Sequence, residues 1–149
     1  LRPRSLLPFL YTFLKDRELC VREAAAEVIA VSGPHGELLL IEGLLKDSSN
    51  IVRASAAYGL KFVGPRAIRT LLLALDDRDP KVIEAVCAAI ESMDPIAIAS
   101  VLKTRPIQQC KSVIQSAQEI LSLEAPISFA LNTTLIALVQ ELEKVVQQS

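Results

Sequence analysis

The chain has 149 residues, 51% of them apolar, with a mean hydropathy of +0.38; it is long enough to bury a core and too apolar to stay disordered. Sixteen Lys and Arg against 17 Asp and Glu leave a net charge of −1, which excludes the basic excess of a generic polyanion binder. One His and 3 scattered Cys exclude a His-rich metal centre, and 4% aromatics without Trp leave small and branched aliphatics to fill closely packed helices.

Leu7, Leu10 and Leu14 mark a first, A-type helix that ends at Leu14-Lys15-Asp16. Val21, Ala25, Val28, Ile29 and Ser32 then recur at spacings of three and four, the stripe of an amphipathic B-type helix. Gly33-Pro34 closes it, because Gly suits the left-handed position past a helix end and Pro cannot continue the helix. The pair returns as Leu38, Ile41 and Leu45, then Asp47, then Val52, Ala56 and Leu60, closed by Gly64-Pro65. It returns again as Ile68, Leu71 and Leu75, then Asp77, then Val82, Val86 and Ile90, with Asp94-Pro95 as the break.

A fourth passage lacks the aspartate but places Gln108, Val113, Ala117, Leu121 and Pro126 at the same offsets. The three aspartates stand 31 and 30 positions apart. The predicted copies span about 5–34, 35–65, 66–95 and 96–126, in one domain covering 1–149. Residues 127–149 read as one or two more helices, a C-terminal cap or the start of a fifth pair. No segment alternates with period two, so the fold class is all-α. The turn aspartate is placed to accept hydrogen bonds from the free N–H groups that open the B helix. A pair of about 30 residues cannot bury its apolar face alone, so the expected architecture is an α-solenoid of stacked pairs. Ala24, Ala25, Ala56, Ala57, Ala85, Ala88 and Ala89 are expected to let neighbouring B helices approach closely.

The strings Asp16…Val21-Arg22…Ala25…Ile29…Gly33-Pro34 and Asp47…Val52-Arg53…Ala56…Leu60…Gly64-Pro65 resemble the HEAT repeat family, in the short form also found in phycobilisome lyases. The resemblance covers roughly residues 5–126. The third copy departs at Ile83, where Arg would stand, and the fourth lacks both Asp and Arg and carries Pro106 near its turn. The resemblance implies a right-handed superhelix of antiparallel pairs whose B helices line the concave side.

Arg22 and Arg53 each follow a turn aspartate by six residues. They are expected to bridge to the aspartate of their own or the adjoining copy, with Asp77 available to Arg53, rather than to hold a phosphate. Asp16, Arg22, Asp47, Arg53 and Asp77 are therefore read as structural repeat positions. Positions seven, eleven and fourteen after each aspartate share one side of the B helix. They define a candidate partner-binding face of Glu23, Glu27, Tyr58, Lys61, Glu84, Glu91, Gln115 and Glu119. Five carboxylates against one Lys make an acidic trough with Tyr58 near its middle, or else an ordinary solvated face. Phe9, Tyr11 and Phe13 in the first helix either cover an open end of the stack or face a preceding repeat.

His35, the one imidazole, sits in Gly33-Pro34-His35-Gly36 and reads as an exposed loop residue; repeated His-Glu dipeptides of the kind that bind iron are missing. Cys20, placed just ahead of a B helix, is the thiol expected to react first. Cys87 occupies the offset of Ala26 and Ala57, and Cys110 is placed in the connection between helices of the fourth copy. Both read as small hydrophobes. No catalytic, metal or cofactor residue is assigned.

An odd number of cysteines without a CxxC pair fits a reducing compartment, hence an intracellular and most simply cytoplasmic protein; cilium, cytoskeleton and nucleus stay open. The chain starts at Leu1 without a signal segment and reads as part of a longer protein. Its longest uncharged stretch, between Glu124 and Glu141, is shorter than the about 20 apolar residues of a membrane span. The expected function is a non-catalytic scaffold that binds a protein partner, such as a basic peptide or helix, and neither nucleic acid nor membrane. The alternative, implied by the resemblance together with Cys20, is a lyase-like subunit that handles a chromophore or thiol adduct with a partner chain.

Overall fold

The computed structural model describes residues 7–31, 45–123 and 128–149, and among them every regular element is a helix. They are α1 (Leu7–Phe13), α2 (Leu19–Val31), α3 (Asn50–Val63), α4 (Ile68–Ala74), α5 (Pro80–Glu91), α6 (Pro95–Lys103), α7 (Ile107–Leu121) and α8 (Phe129–Gln147). A 3₁₀ turn, Gly64–Ala67, leads into α4. Gly33-Pro34, His35, Leu38 and Ile41 lie outside the described residues.

The helix ends follow from local chemistry. Ser49 opens α3, its hydroxyl accepting from the Val52 N–H. Gly64 closes that helix at φ +79°, a backbone region that disfavours any Cβ, and its N–H reaches the Leu60 carbonyl. Asp79 caps α5 and Asp94 caps α6, each followed by a proline whose missing N–H costs nothing at that position. Asp94-Pro95 is thus the start of a helix as much as the break after one. The turn aspartates act one step earlier than expected. Asp16, Asp47 and Asp77 accept from the N–H groups of Glu18, Ser49 and Asp79, shaping the turn ahead of the helix instead of capping its interior.

The repeated offsets mark the core. Val52, Ala56 and Leu60 on α3, Val82, Val86 and Ile90 on α5, and Val113 and Ala117 on α7 are all at most 1% exposed. One continuous cluster joins them to Ile68 and Leu71 of α4 and to the inner stripe of α8. The expected stripe fails at Val28, which is 43% exposed, and Ala24 and Ala88 are exposed rather than packed between helices.

Helix α2 packs along α3, and α3 along α5. The row then changes. α7, at the register of a fourth B helix, packs instead on α4 and along α8. The C-terminal segment forms one helix within its described part, and α8 lies against α5, α6 and α7. Its stripe of Leu131, Leu135, Leu138 and Leu142 buries four large side chains almost completely, whereas α7 offers Cys110, Val113 and Ala117.

Candidate functional site

Two arginines tie consecutive copies together in the same way. The Nε of Arg22 on α2 donates to Asp47 Oδ2 at 3.2 Å, while its Nη1 donates to the Asp16 and Arg17 carbonyls of its own turn. One copy on, Arg53 Nε and Nη2 donate to Asp77 Oδ2 and Oδ1 at 2.7 and 3.1 Å, and Nη1 reaches the Asp47 and Ser48 carbonyls. Each guanidinium thus clamps its own turn and the next. The carboxylate partners lie in the adjoining copy, while the aspartate of each arginine's own copy is reached through its carbonyl, so both options left by the spacing are used.

The second pair sits at 17% and 13% side-chain exposure, where a charge-assisted fork is stronger than on an open surface. The hydrogen bond from Arg53 holds the Asp77 carboxyl below the usual carboxylate range, with help from the Asp79 N–H, although burial pushes the other way. Arg53 is raised in turn by Asp77. Asn50 Nδ2 adds a further link to Asp79 Oδ2 at 2.7 Å, which lowers that carboxyl too.

The candidate face is partly drawn into such ties. Glu23 accepts from the Ser49 hydroxyl at 3.1 Å, fastening α2 to the cap of α3, and Glu91 accepts from the Ser128 hydroxyl at the start of α8. The Glu27 side chain lies outside the described residues. Gln115 and Glu119 are exposed and hydrogen-bonded to each other on α7, away from the α2–α3–α5 row. Tyr58, Lys61 and Glu84 are exposed. Tyr58 meets Phe62 edge-to-face, with ring centroids 5.3 Å apart and an interplanar angle of 76°. Phe62 is 40% exposed and was missed by the offset pattern, although its place four residues after Tyr58 puts it on the same helix side.

The cysteines differ sharply. Cys20 is exposed, and it is the second residue of α2 rather than a residue ahead of it. Cys87 is half-buried, and burial together with Glu91 and Glu84 pushes its thiol up. Cys110 belongs to the first turn of α7, not to the connection before it. It is fully buried, its Sγ–H donates to the Leu102 carbonyl at 3.4 Å, and burial raises its thiol. Among the described residues no group of three His, Cys, Asp or Glu converges to hold a metal ion. Nor is any single described helix long and apolar enough to cross a membrane.

A cationic cleft of about 180 Å³ went unread in the sequence. Arg66, Arg69 and Arg105 line it with Gln109, over an apolar floor that includes Ile68 and Leu102. Arg66 and Arg69 are close in sequence, but Arg105 is brought in only by packing of α6 beside the 3₁₀ turn. Guanidinium groups in this setting suit a carboxylate or phosphate.

No model of a known protein family matches the chain. No curated protein matches it either. Among solved structures, it is similar to a crystal structure of an engineered protein, a target of the Northeast Structural Genomics Consortium, at 16% identity and a TM-score of 0.59. The match covers 91% of this chain and 62% of the engineered one, so the chain spans less than two thirds of that protein's length. At that identity the likeness bears on fold alone, and it agrees with the all-helical architecture.

Proposed function

We propose that the chain is a stack of HEAT-like helix pairs that serves as a non-catalytic scaffold, holding a protein partner on the exposed side of its B helices. The stack reading is supported by the repeated clamp, Arg22 to Asp47 and Arg53 to Asp77, which links consecutive copies in one register. The binding reading is carried by the Tyr58–Phe62 pair. Two aromatic rings, 47% and 40% exposed, stand on α3 with Lys61 between them in sequence. Aromatic side chains left open to water are common anchors of protein interfaces. A basic peptide or helix is the partner proposed, with Glu84 on the neighbouring α5 supplying negative charge and Lys61 on α3 opposing it. Three free thiols suit a reducing, intracellular setting.

The test is paired affinity capture with the parent chain and a Tyr58→Ser/Phe62→Ser variant, after circular dichroism shows that both fold. A protein held by the parent and released by the variant supports the scaffold reading. Identical capture by both refutes this face as the binding surface.

A second reading, the lyase-like or chromophore-handling subunit, draws on the exposed Cys20 beside an apolar groove. An absorbance shift on mixing with a bilin, abolished by Cys20→Ser, would favour it over the scaffold.

A further inference from the structure

The first copy has an open side that the later copies close. Leu10 and Phe13 of α1 line an apolar groove with Val21, Ala24 and Val28 of α2. Phe13 is 46% and Val28 43% exposed, and Ala24 is exposed as well. The register mates of Leu10, Val21 and Val28 are shut away, while those of Ala24, Ser55 and Ala85, are half-buried. Leu10 corresponds to Leu71 at 0%, Val21 to Val52 and Val82 at 0%, and Val28 to Gly59, which is buried, and Ala89 at 1%. What distinguishes the later copies is a helix packed ahead of them, α2 before α3 and α3 before α5.

The charges repeat the pattern. Asp47 and Asp77 each receive an arginine from the helix ahead. Asp16 holds the same turn, accepting from the Glu18 N–H at 2.9 Å, and Arg22 reaches its carbonyl, yet no arginine among the described residues reaches its carboxylate. An apolar groove and a carboxylate that no described arginine reaches therefore coincide at the register where the clamp recurs twice downstream.

We propose that a further helix pair of this same repeat type docks on the open side of α2, its second helix bringing an arginine to Asp16 and an apolar strip to the groove. The proposal rests on the stack reading but concerns a different surface from Tyr58 and Phe62. A second copy of this chain, added head to tail, does not meet the requirement. On α5, the last helix of the row, Ile83 stands where the arginine belongs, and α8 already lies against that helix.

The probe is a hydrocarbon-stapled, fluorescein-labelled peptide of residues 46–63, the segment that carries Arg53 and fills the equivalent place ahead of α5. Stapling offsets the marginal helicity of so short a peptide. Its anisotropy is titrated with the intact chain. Saturable binding is expected, weakened about fivefold by Asp16→Asn, which removes the charge but keeps an acceptor for the Glu18 N–H. Arg53→Gln in the peptide should weaken binding equally, and the two changes together should add no further loss. Ala24→Arg, at an exposed position, should block the groove.

Absence of binding, indifference to Asp16→Asn, or losses that multiply would each overturn the proposal. So would sedimentation showing self-association that Ala24→Arg abolishes, since the occupant would then be a second copy. The stack reading has its own control in the coupling of Arg53 to Asp77 within the chain. If that pair is uncoupled, the stack reading falls and the docking proposal with it. If the pair is coupled and the peptide still does not bind, the docking proposal alone falls.

Discussion

Arg53 on α3 and Asp77 in the turn before α5 meet through two hydrogen bonds, while their counterparts Arg22 and Asp47 meet through one, at 3.2 Å. The difference sets an order of stability effects. Arg53→Ala removes a fork and leaves the Asp47 and Ser48 carbonyls without its donors, at a cost of about 2 kcal/mol. Arg22→Ala, with the single longer contact, should cost about 1 kcal/mol. Urea denaturation of both variants checks the order, and the reverse order would contradict the geometry.

Acid should weaken the clamp with a defined sign. The Asp77 carboxyl titrates lower in the folded chain than in the unfolded one, so its stabilisation is fully present above the unfolded value, about 4. It is lost as pH falls through the folded value. Arg53, raised from an already high value, stays charged throughout and adds no slope in that window. The expected outcome is a drop in melting temperature below about pH 4 that is smaller in Asp77→Asn. An equal acid limb in both proteins would show that Asp77 is not responsible.

The inner face of the B helices can be tested by contrast. Ala56, at 1% exposure, has no room for a larger side chain, and Ala56→Leu should cost about 1–3 kcal/mol. Val52→Asp places a carboxylate at a fully buried position and should cost more. Ala88→Leu, on the exposed side of α5, should stay within about 0.5 kcal/mol of the parent. Thermal or urea melts separate the three.

Thiol labelling should be sequential. Cys20 is open to reagent, Cys87 is half-buried with a raised thiol, and Cys110 is enclosed by α7 and the Leu102 carbonyl. Ellman's reagent under native conditions should modify Cys20 first and Cys110 only on unfolding. Rapid native labelling of Cys110 would mean that the packing of α7 is looser than described.

Much of this was legible in the residues, and the rest fails for identifiable reasons. The offsets of Val52, Ala56 and Leu60, and of Val82, Val86 and Ile90, mark buried positions because one helix face repeats with the copy. The six-residue step from turn aspartate to arginine allowed a bridge to the next copy, which is where both arginines reach. Val28 fits the stripe but stays open, because no described helix covers that side of α2 as α2 covers α3. The departure of α7 from the row is invisible to spacing. It depends on which later helix covers α5, and α8, from outside the repeated passages, does so. Ser49 and Asp79 cap the helices because the aspartates two residues earlier are engaged in the turns. The cleft of Arg66, Arg69 and Arg105 depends on packing between segments far apart in the chain.

Coupling between consecutive copies is what the clamp supplies, and a double-mutant cycle on Arg53 and Asp77 measures it. Unfolding free energies of the parent, Arg53→Ala, Asp77→Ala and the double variant should yield an interaction of about 1 kcal/mol, larger than that of Arg22 with Asp47. Additive effects at both pairs, with no interaction energy, would contradict the claim that these clamps hold the helix pairs in register.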